Sequence, residues 1–553
     1  MTNLRKLFSI RTQNQAVPQN QALPGTKQVP NSAGGFVWQV DDWARLDRFL
    51  ILGSEGGTYY IRPRKLTVEN AEAVINCIAE DGARVVDRVI EISEAGRAAK
   101  NDPALYVLAM CAGLGDTETR KAALDALPRV ARIGTHLFHF LDFVEGFRGW
   151  GRGLRKGVAA WYNAMPLGRL TYQAVKYQQR DGWSHRDALR LAHPKAATEG
   201  HDIVFNWITH GWDDVGMEPH PDEALRTLWA FERAKLATHE KDIVDLLRNH
   251  NLPWEAIPSK WLGSATVWQA LLPRLPLTAT LRNLGRLTAN GVLAPGNRWT
   301  TMVVDRLTDE VGLRRARVHP LSVLVAMKTY ESGGGHRSKL TWRPVRQIVD
   351  ALDQAYYLSF GNVEATNKRI MLALDVSGSM GSPEIAGMPG ITPRVGAAAM
   401  AMVTARTEAD YVTTIFSNGG KHHMKGQRRS WSGDGISTFA ISPRQRLDDV
   451  VRKTRKLPFG GTDCALPMLY ALERKLDIDA FIIYTDSETW AGNIHPSEAL
   501  RRYRERTGIP AKLIVVGMVS NGFSIADPND AGMMDVVGFD TATPQVMADF
   551  IRG

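Results

Sequence analysis

Between about residues 66 and 360 the apolar positions recur at intervals of three and four. Leu105, Leu108, Cys111 and Leu114 follow this spacing, and Asp116 restarts it through Ala123, Leu127 and Val130, the signature of amphipathic helices with a start signal between them. Similar segments occupy 154–163, 166–181, 184–192, 221–236, 239–249, 265–273 and 277–290, separated by short turn-rich links. Helices paired in series predict an α-solenoid, in which each pair buries its apolar face against the next. After about residue 361 the pattern changes. Short continuous apolar runs appear at 369–375, 411–416, 480–484 and 511–518, with helical segments such as 397–409 and 464–476 between them. Continuous runs bounded by turns read as parallel strands buried on both faces. Their alternation with helices predicts an open α/β sheet with right-handed crossovers, which holds its ligands at the carboxyl ends of its strands.

Residues 1–30 have a different texture, rich in Gln, Asn and Pro, with Gln-Asn-Gln-Ala at 13–16 and again at 19–22. Such a composition offers little apolar surface to bury and reads as a flexible tail. The expected organisation is therefore a tail at 1–30, a helical part at 31–360 and an α/β part at 361–553.

The 553 residues, 44% hydrophobic and 23% charged, are enough for more than one domain. No apolar run reaches the roughly 18 residues of a membrane span, and Arg5 and Lys6 are followed by no apolar segment of a secretory signal. Cys77, Cys111 and Cys464 are odd in number and far apart, which fits a reducing cytoplasm rather than a disulfide framework. Net charge is +10, with 46 Lys and Arg against 37 Asp and Glu in residues 1–360, and 22 against 21 in residues 361–553. This excess in the first part is what a polyanion-binding surface needs, and a solvated surface with spare lysines accounts for it equally well.

The chemistry of the second part is more specific. Asp375-Val376-Ser377-Gly378-Ser379 follows the apolar run Ile370–Leu374 directly. A carboxylate and two hydroxyls at alternate positions past a buried strand form a set of hard oxygen donors, suited to Mg²⁺ or another hard divalent cation. Gly460-Gly461-Thr462-Asp463 offers a further hydroxyl before a helix, and the run Phe481–Thr485 ends at Asp486. No phosphate-binding glycine loop of the GxxxxGK[ST] form and no nucleophile–base pair accompany them, so a noncatalytic chain is expected. Gly333–Arg337 reads as a plain loop. The pairs His136/His139 and His422/His423 lack Cys or His partners at ligand spacing, and Asp448-Asp449 reads as the first turn of a helix.

Strand, D-x-S-x-S, G-G-T-D and strand-T-D, in that order, resemble a von Willebrand factor A domain with a metal-ion-dependent adhesion site. The resemblance implies that Ser377, Ser379 and Thr462 supply hydroxyl oxygens, that Asp375 and Asp486 act directly or through water, and that one position stays open for a partner's carboxylate. Further stretches extend the likeness: Leu52–Tyr60 (LGSEGGTYY), Thr135–Phe138, Lys176-Tyr177 through Arg180–Asp187, Leu281–Arg286 and Ala526–Pro528. Together they resemble the Ro autoantigen family, whose helical part is the TROVE module, over about residues 31–550. For this family the expected fold is a ring of HEAT-like repeats with the von Willebrand-type domain, as a monomer in the cytoplasm. The resemblance further implies a small noncoding Y-like RNA on the outer surface, single-stranded 3′ ends of misfolded RNA in the central hole, and an association with a 3′-to-5′ exoribonuclease. Lys176, Arg180 and His193 match the positions that contact Y RNA. The four-residue spacing of Lys176 and Arg180 predicts two cations on one helix face, while Tyr177 and Trp183 read as core. Arg148, Arg152, Arg155, Lys156, Arg282, Arg286, Arg337 and Lys339 are further candidates to line the ring. The competing reading is an adaptor that captures an acidic protein residue through the metal and has no specific RNA ligand.

Overall fold

The computed structural model describes residues 16–53, 63–212, 219–335, 339–360, 363–382, 384–385, 388–417, 435–455 and 460–553, with the side chains of 63–68 and 455 left out. Ser54–Tyr60, Arg337, His422 and His423 lie outside the described residues. The chain forms two units. One holds residues 49–53 and 69–361, the other residues 1–48, 54–68 and 362–553.

The second unit begins with β1 (Gln28–Pro30) and β2 (Phe36–Gln39), an antiparallel pair. The expectation of a tail through residue 30 is thus met differently from residue 16 onward. Gln19 is fully buried and Asn31 nearly so. Their side-chain amides replace apolar area as the source of order, which is why composition alone misjudged the segment. This also changes the charge argument. By unit, Lys and Arg outnumber Asp and Glu by 37 to 33 in the helical unit and by 31 to 25 in the other. Bulk charge therefore does not single out the helices.

The helical unit is a series of antiparallel pairs. The helices Asp102–Leu114 and Thr117–Val130 meet at a tight link, where the Asp116 carboxylate caps the second by accepting from Thr119 N at 2.8 Å. Leu105, Leu108 and Cys111 are fully buried, whereas Leu114, at the end of the helix, is 46% exposed. The stacking continues through Gly134–Glu145 and Arg152–Asn163. Trp161 and Tyr162 are fully buried there, and Trp161 Nε1 donates to Ala131 O. The two ends of the array meet. His319, which caps the helix Pro320–Glu331, places Nε2 3.2 Å from Arg97 O, 222 positions earlier. The repeats therefore close on themselves as a ring, and the HEAT-like reading holds.

One expected helix is shorter than its spacing predicts. Leu167–Lys176 ends at Lys176, and β3 (Gln179–Arg180) and β4 (Trp183–Ser184) follow as a hairpin. Asp181 and Gly182, with φ of 52° and 80°, make its two-residue turn. An Asp-Gly pair favours such a turn because both central residues need positive φ. Lys176 and Arg180 consequently do not share a helix face.

The remaining strands are β5 (Ile370–Asp375), β6 (Tyr411–Phe416), β7 (Ile436–Thr438), β8 (Ala480–Thr485), β9 (Lys512–Gly517), β10 (Phe523–Ser524) and β11 (Met533–Val537). Six of them form a sheet in the order β11-β9-β8-β5-β6-β7, parallel except for β7, while β10 pairs with β2. Met371, Ala373, Phe481, Ile483, Leu513 and Val515 belong to one core with Met468, Leu500, Tyr503 and Val37. The other face packs on Pro393–Thr407, an Ala-rich helix buried along nearly its whole length. The edge strands β7 and β11 escape a search for apolar runs because they are short or half-exposed.

Candidate metal centre and nucleic-acid interface

Parallel pairing of β5 with β8 puts Leu374 opposite Tyr484, so Asp375 and Thr485-Asp486 emerge side by side at the carboxyl ends. The D-x-S-x-S loop is joined to the glycine turn by Gly378 N donating to Gly460 O at 3.3 Å. The turn is joined to the segment after β8 by Trp490 N and Ala491 N, which donate to Thr462 O at 3.1 and 3.0 Å. All five oxygen-bearing side chains chosen from the sequence, on Asp375, Ser377, Ser379, Thr462 and Asp486, are buried at this junction.

The donors are not equally committed. Asp375 Oδ1 accepts from Ser377 N at 2.8 Å, and Oδ2 accepts from the Thr485 hydroxyl at 2.7 Å. The Ser377 and Ser379 hydroxyls are 3.1 Å apart. Thr462 Oγ1 and Asp486 Oδ2 are buried without a hydrogen-bond partner. Buried polar atoms are normally paired, so two orphaned oxygens beside two hydroxyls and a carboxylate fit a hard divalent cation. Such an ion would be held by these five residues and would supply a Lewis-acidic point for a further oxygen ligand. Burial pushes the Asp375 pKa up, and the neighbouring Asp486 pushes it further. Burial likewise raises Asp486, against hydrogen bonding from Ser379. Asp375 also interacts with the Arg394 guanidinium, yet burial and the neighbouring carboxylate outweigh that attraction.

Two neighbours, Arg394 and Glu488, had no signal in the motif search, and a third, Asp463, stood in the glycine turn with no role assigned to it. Arg394 Nη2 donates to Val376 O at 2.8 Å and Ser377 O at 2.9 Å, which fixes the loop from behind. Asp463 and Glu488 are buried, and burial raises their carboxyls to about 6 and about 8, with Asp486 adding to the effect at Glu488. Spacing within one motif does not show residues that act from another segment.

The three RNA-contact candidates fall on separate elements. Lys176 ends its helix with a side chain only 11% exposed, Nζ 4.0 Å from Glu255 Oε1. It lies over the Tyr172 and Tyr177 rings at 5.4 and 5.3 Å. Burial lowers its pKa, Glu255 opposes this and Arg282 adds to it. Arg180, in β3, keeps 60% of its side chain exposed beside Asp181 at 3.4 Å. His193 is exposed and caps the helix His185–Ala192 in the left-handed region, φ 46°. Trp183 is buried near Trp150, with ring centroids 5.8 Å apart, consistent with a core role. His136 is held near pKa 3, chiefly by burial, and His139 pairs with the Asp181 carboxylate. Neither stands in a group of three or more metal-ligating side chains among the described residues.

Comparison with known proteins places these features in context. Residues 369–551 match the family model of the Ro60 vWA domain, and residues 29–222 and 247–329 match that of the TROVE domain. The chain is 44% identical to the RNA-binding protein RO60 of Deinococcus radiodurans over 530 residues, covering 95% of this chain and 96% of that one. It is 34% identical to the RNA-binding protein RO60 of Caenorhabditis elegans, covering 97% and 92%. The crystal structure of the Deinococcus radiodurans RO (RSR) protein superposes with a TM-score of 0.69 at 43% identity, over 93% of this chain and all of that one. No described helix is long and apolar enough to cross a membrane.

Proposed function

The chain belongs to the Ro family, as a bacterial-type member, and on that premise we propose that it is a noncatalytic RNA-binding scaffold. The observation that carries this reading is near-full-length identity of 44% to a protein named for RNA binding. In the finer form of the proposal, a small Y-like RNA docks at Lys176, Arg180 and His193, and single-stranded 3′ ends of misfolded RNA enter the ring. A 3′-to-5′ exoribonuclease then acts on what the scaffold holds, in RNA quality control. The von Willebrand-type unit binds Mg²⁺ and offers the open metal position to an acidic protein partner. The orphaned oxygens of Thr462 and Asp486 favour this second, compatible activity.

Local geometry ranks the two basic contacts. Arg180 is the more exposed of the two, with only its Nε side turned to Asp181, whereas Lys176 is tucked between tyrosines and faces Glu255. Each lost phosphate contact reduces the slope of log affinity against log salt by roughly 0.7–0.9. Arg180→Ala is therefore expected to flatten the salt dependence of Y-like RNA binding by nearly one, and Lys176→Ala by distinctly less. Filter binding of a structured RNA across a salt series measures both. Parent-like affinity and slope in the Lys176→Ala/Arg180→Ala chain would remove this surface from the proposal.

A further inference from the structure

Two of the three segments that carry the metal-site oxygens are held from outside by the start of the chain. Gln19 Nε2 donates to Asp463 Oδ1 at 2.7 Å and to Ile494 O at 2.8 Å, and Gln19 Oε1 accepts from the Thr489 hydroxyl. That hydroxyl also accepts from Cys464 N at 3.1 Å, so Gln19 grips Thr462 through both of its downstream neighbours. Asn31 Nδ2 donates to Thr489 O at 2.7 Å and more weakly to Ser487 O at 3.4 Å, while Ala33 N donates to Glu488 Oε2 at 3.1 Å. The residues just after Asp486 are thereby held in turn. The approach leaves no slack: a Cβ on Gly35 would fall 1.8 Å from Thr489 O, and one on Gly492 2.3 Å from Gln19 Nε2.

These contacts exceed what anchoring a terminus requires. They fall on the residues adjoining Thr462 and Asp486, the two side chains whose oxygens are orphaned, and they bridge the two segments through Thr489. We propose that residues 17–35 are a positioning segment of the metal centre, with Gln19 and Asn31 setting the placement of Thr462 and Asp486 for a divalent cation. This rests on the reading of that centre as a metal site. Because ligand preference for one arrangement is reciprocal, metal binding in turn tightens the docking of the segment.

Mn²⁺ titration by calorimetry on the full chain tests the idea. The parent is expected to bind, and Gln19→Ala/Asn31→Ala to bind about tenfold more weakly, the usual loss when a support behind a metal ligand is removed. The milder Asn31→Asp keeps the acceptor to Ala33 N and Gly35 N but loses the donor to Thr489, and falls between them. Affinity within twofold of the parent in the double variant overturns the inference and leaves a plain structural anchor. No Mn²⁺ binding by the parent overturns the metal reading and the inference with it. Should the double variant fail to fold, amide exchange on the parent decides. Slower exchange at Gly35 and Phe36 with Mn²⁺ supports the coupling, and unchanged exchange rules it out.

Discussion

Asp486→Ala is expected to weaken Mn²⁺ or Mg²⁺ binding by about 100-fold or more, and to leave the metal-free chain as stable as the parent or more so. The first effect follows from the donor set. Asp375 and Asp486 are its only carboxylates, and Asp486 contributes an oxygen with no other partner, so its removal exceeds the roughly 10–100-fold cost of disturbing a supporting group. The second effect has the opposite sign because the same carboxylate is fully buried beside a second one, Asp375, and burial outweighs the interactions that favour its charge. A folded-state pKa raised above the unfolded value contributes stability at low pH that is lost as pH climbs through the raised value. With Asp375 and Asp486 both raised, and Asp463 and Glu488 raised to about 6 and about 8, the metal-free parent is expected to lose stability from about pH 4 up to about pH 8. Metal restores it, by roughly 2.7 kcal/mol at a concentration 100 times Kd. Melting curves at pH 6 and pH 8, with and without Mn²⁺, should show the larger metal-induced rise at pH 8 in the parent and a far smaller one in Asp486→Ala. An equal rise in both chains would place the metal elsewhere.

Arg48→Met is expected to cost the sheet unit about 3–5 kcal/mol, the range for a buried ion pair deprived of one partner. Arg48 is 2% exposed, pairs with Asp535 at 2.6 Å, and donates to Asn521 O, Asn521 Oδ1 and Phe523 O at 2.7–2.9 Å. Methionine fills part of the volume and satisfies none of these acceptors. For a unit of this size the change corresponds to a fall of roughly 6–20 °C in its melting transition. Arg48→Met/Asp535→Leu removes the stranded carboxylate and should recover more than half of the loss. A single variant melting within 2 °C of the parent would show that the pair contributes little.

The features legible in sequence were those written in one stretch of chain. The strands β5, β6, β8 and β9 were readable because burial on both faces leaves a continuous apolar run, and the helix pairs because their period is strong. The five oxygen-bearing side chains were readable as three motifs, although their meeting depends on strand register and on the hydrogen bond between Gly378 and Gly460. Lys176 and Arg180 were misassigned to one helix because a four-residue spacing looks helical even where Asp181-Gly182 turns the chain. Arg48, Gln19 and Asn31 carried no signal, since each acts on residues more than 400 positions away. Their roles arise from topology, and the Gln/Asn-rich composition around residue 19 pointed the other way.

The contact of His319 with Arg97 has a topological consequence. An open stack of helices receives a long polymer sideways at any point, whereas a shut loop is threaded by a single strand only from a free end. If strands pass through this ring while that contact holds, a linear RNA enters as a single strand by its end, and a covalently closed circle of identical sequence enters only doubled back on itself. Discrimination between them would then need no base to be read.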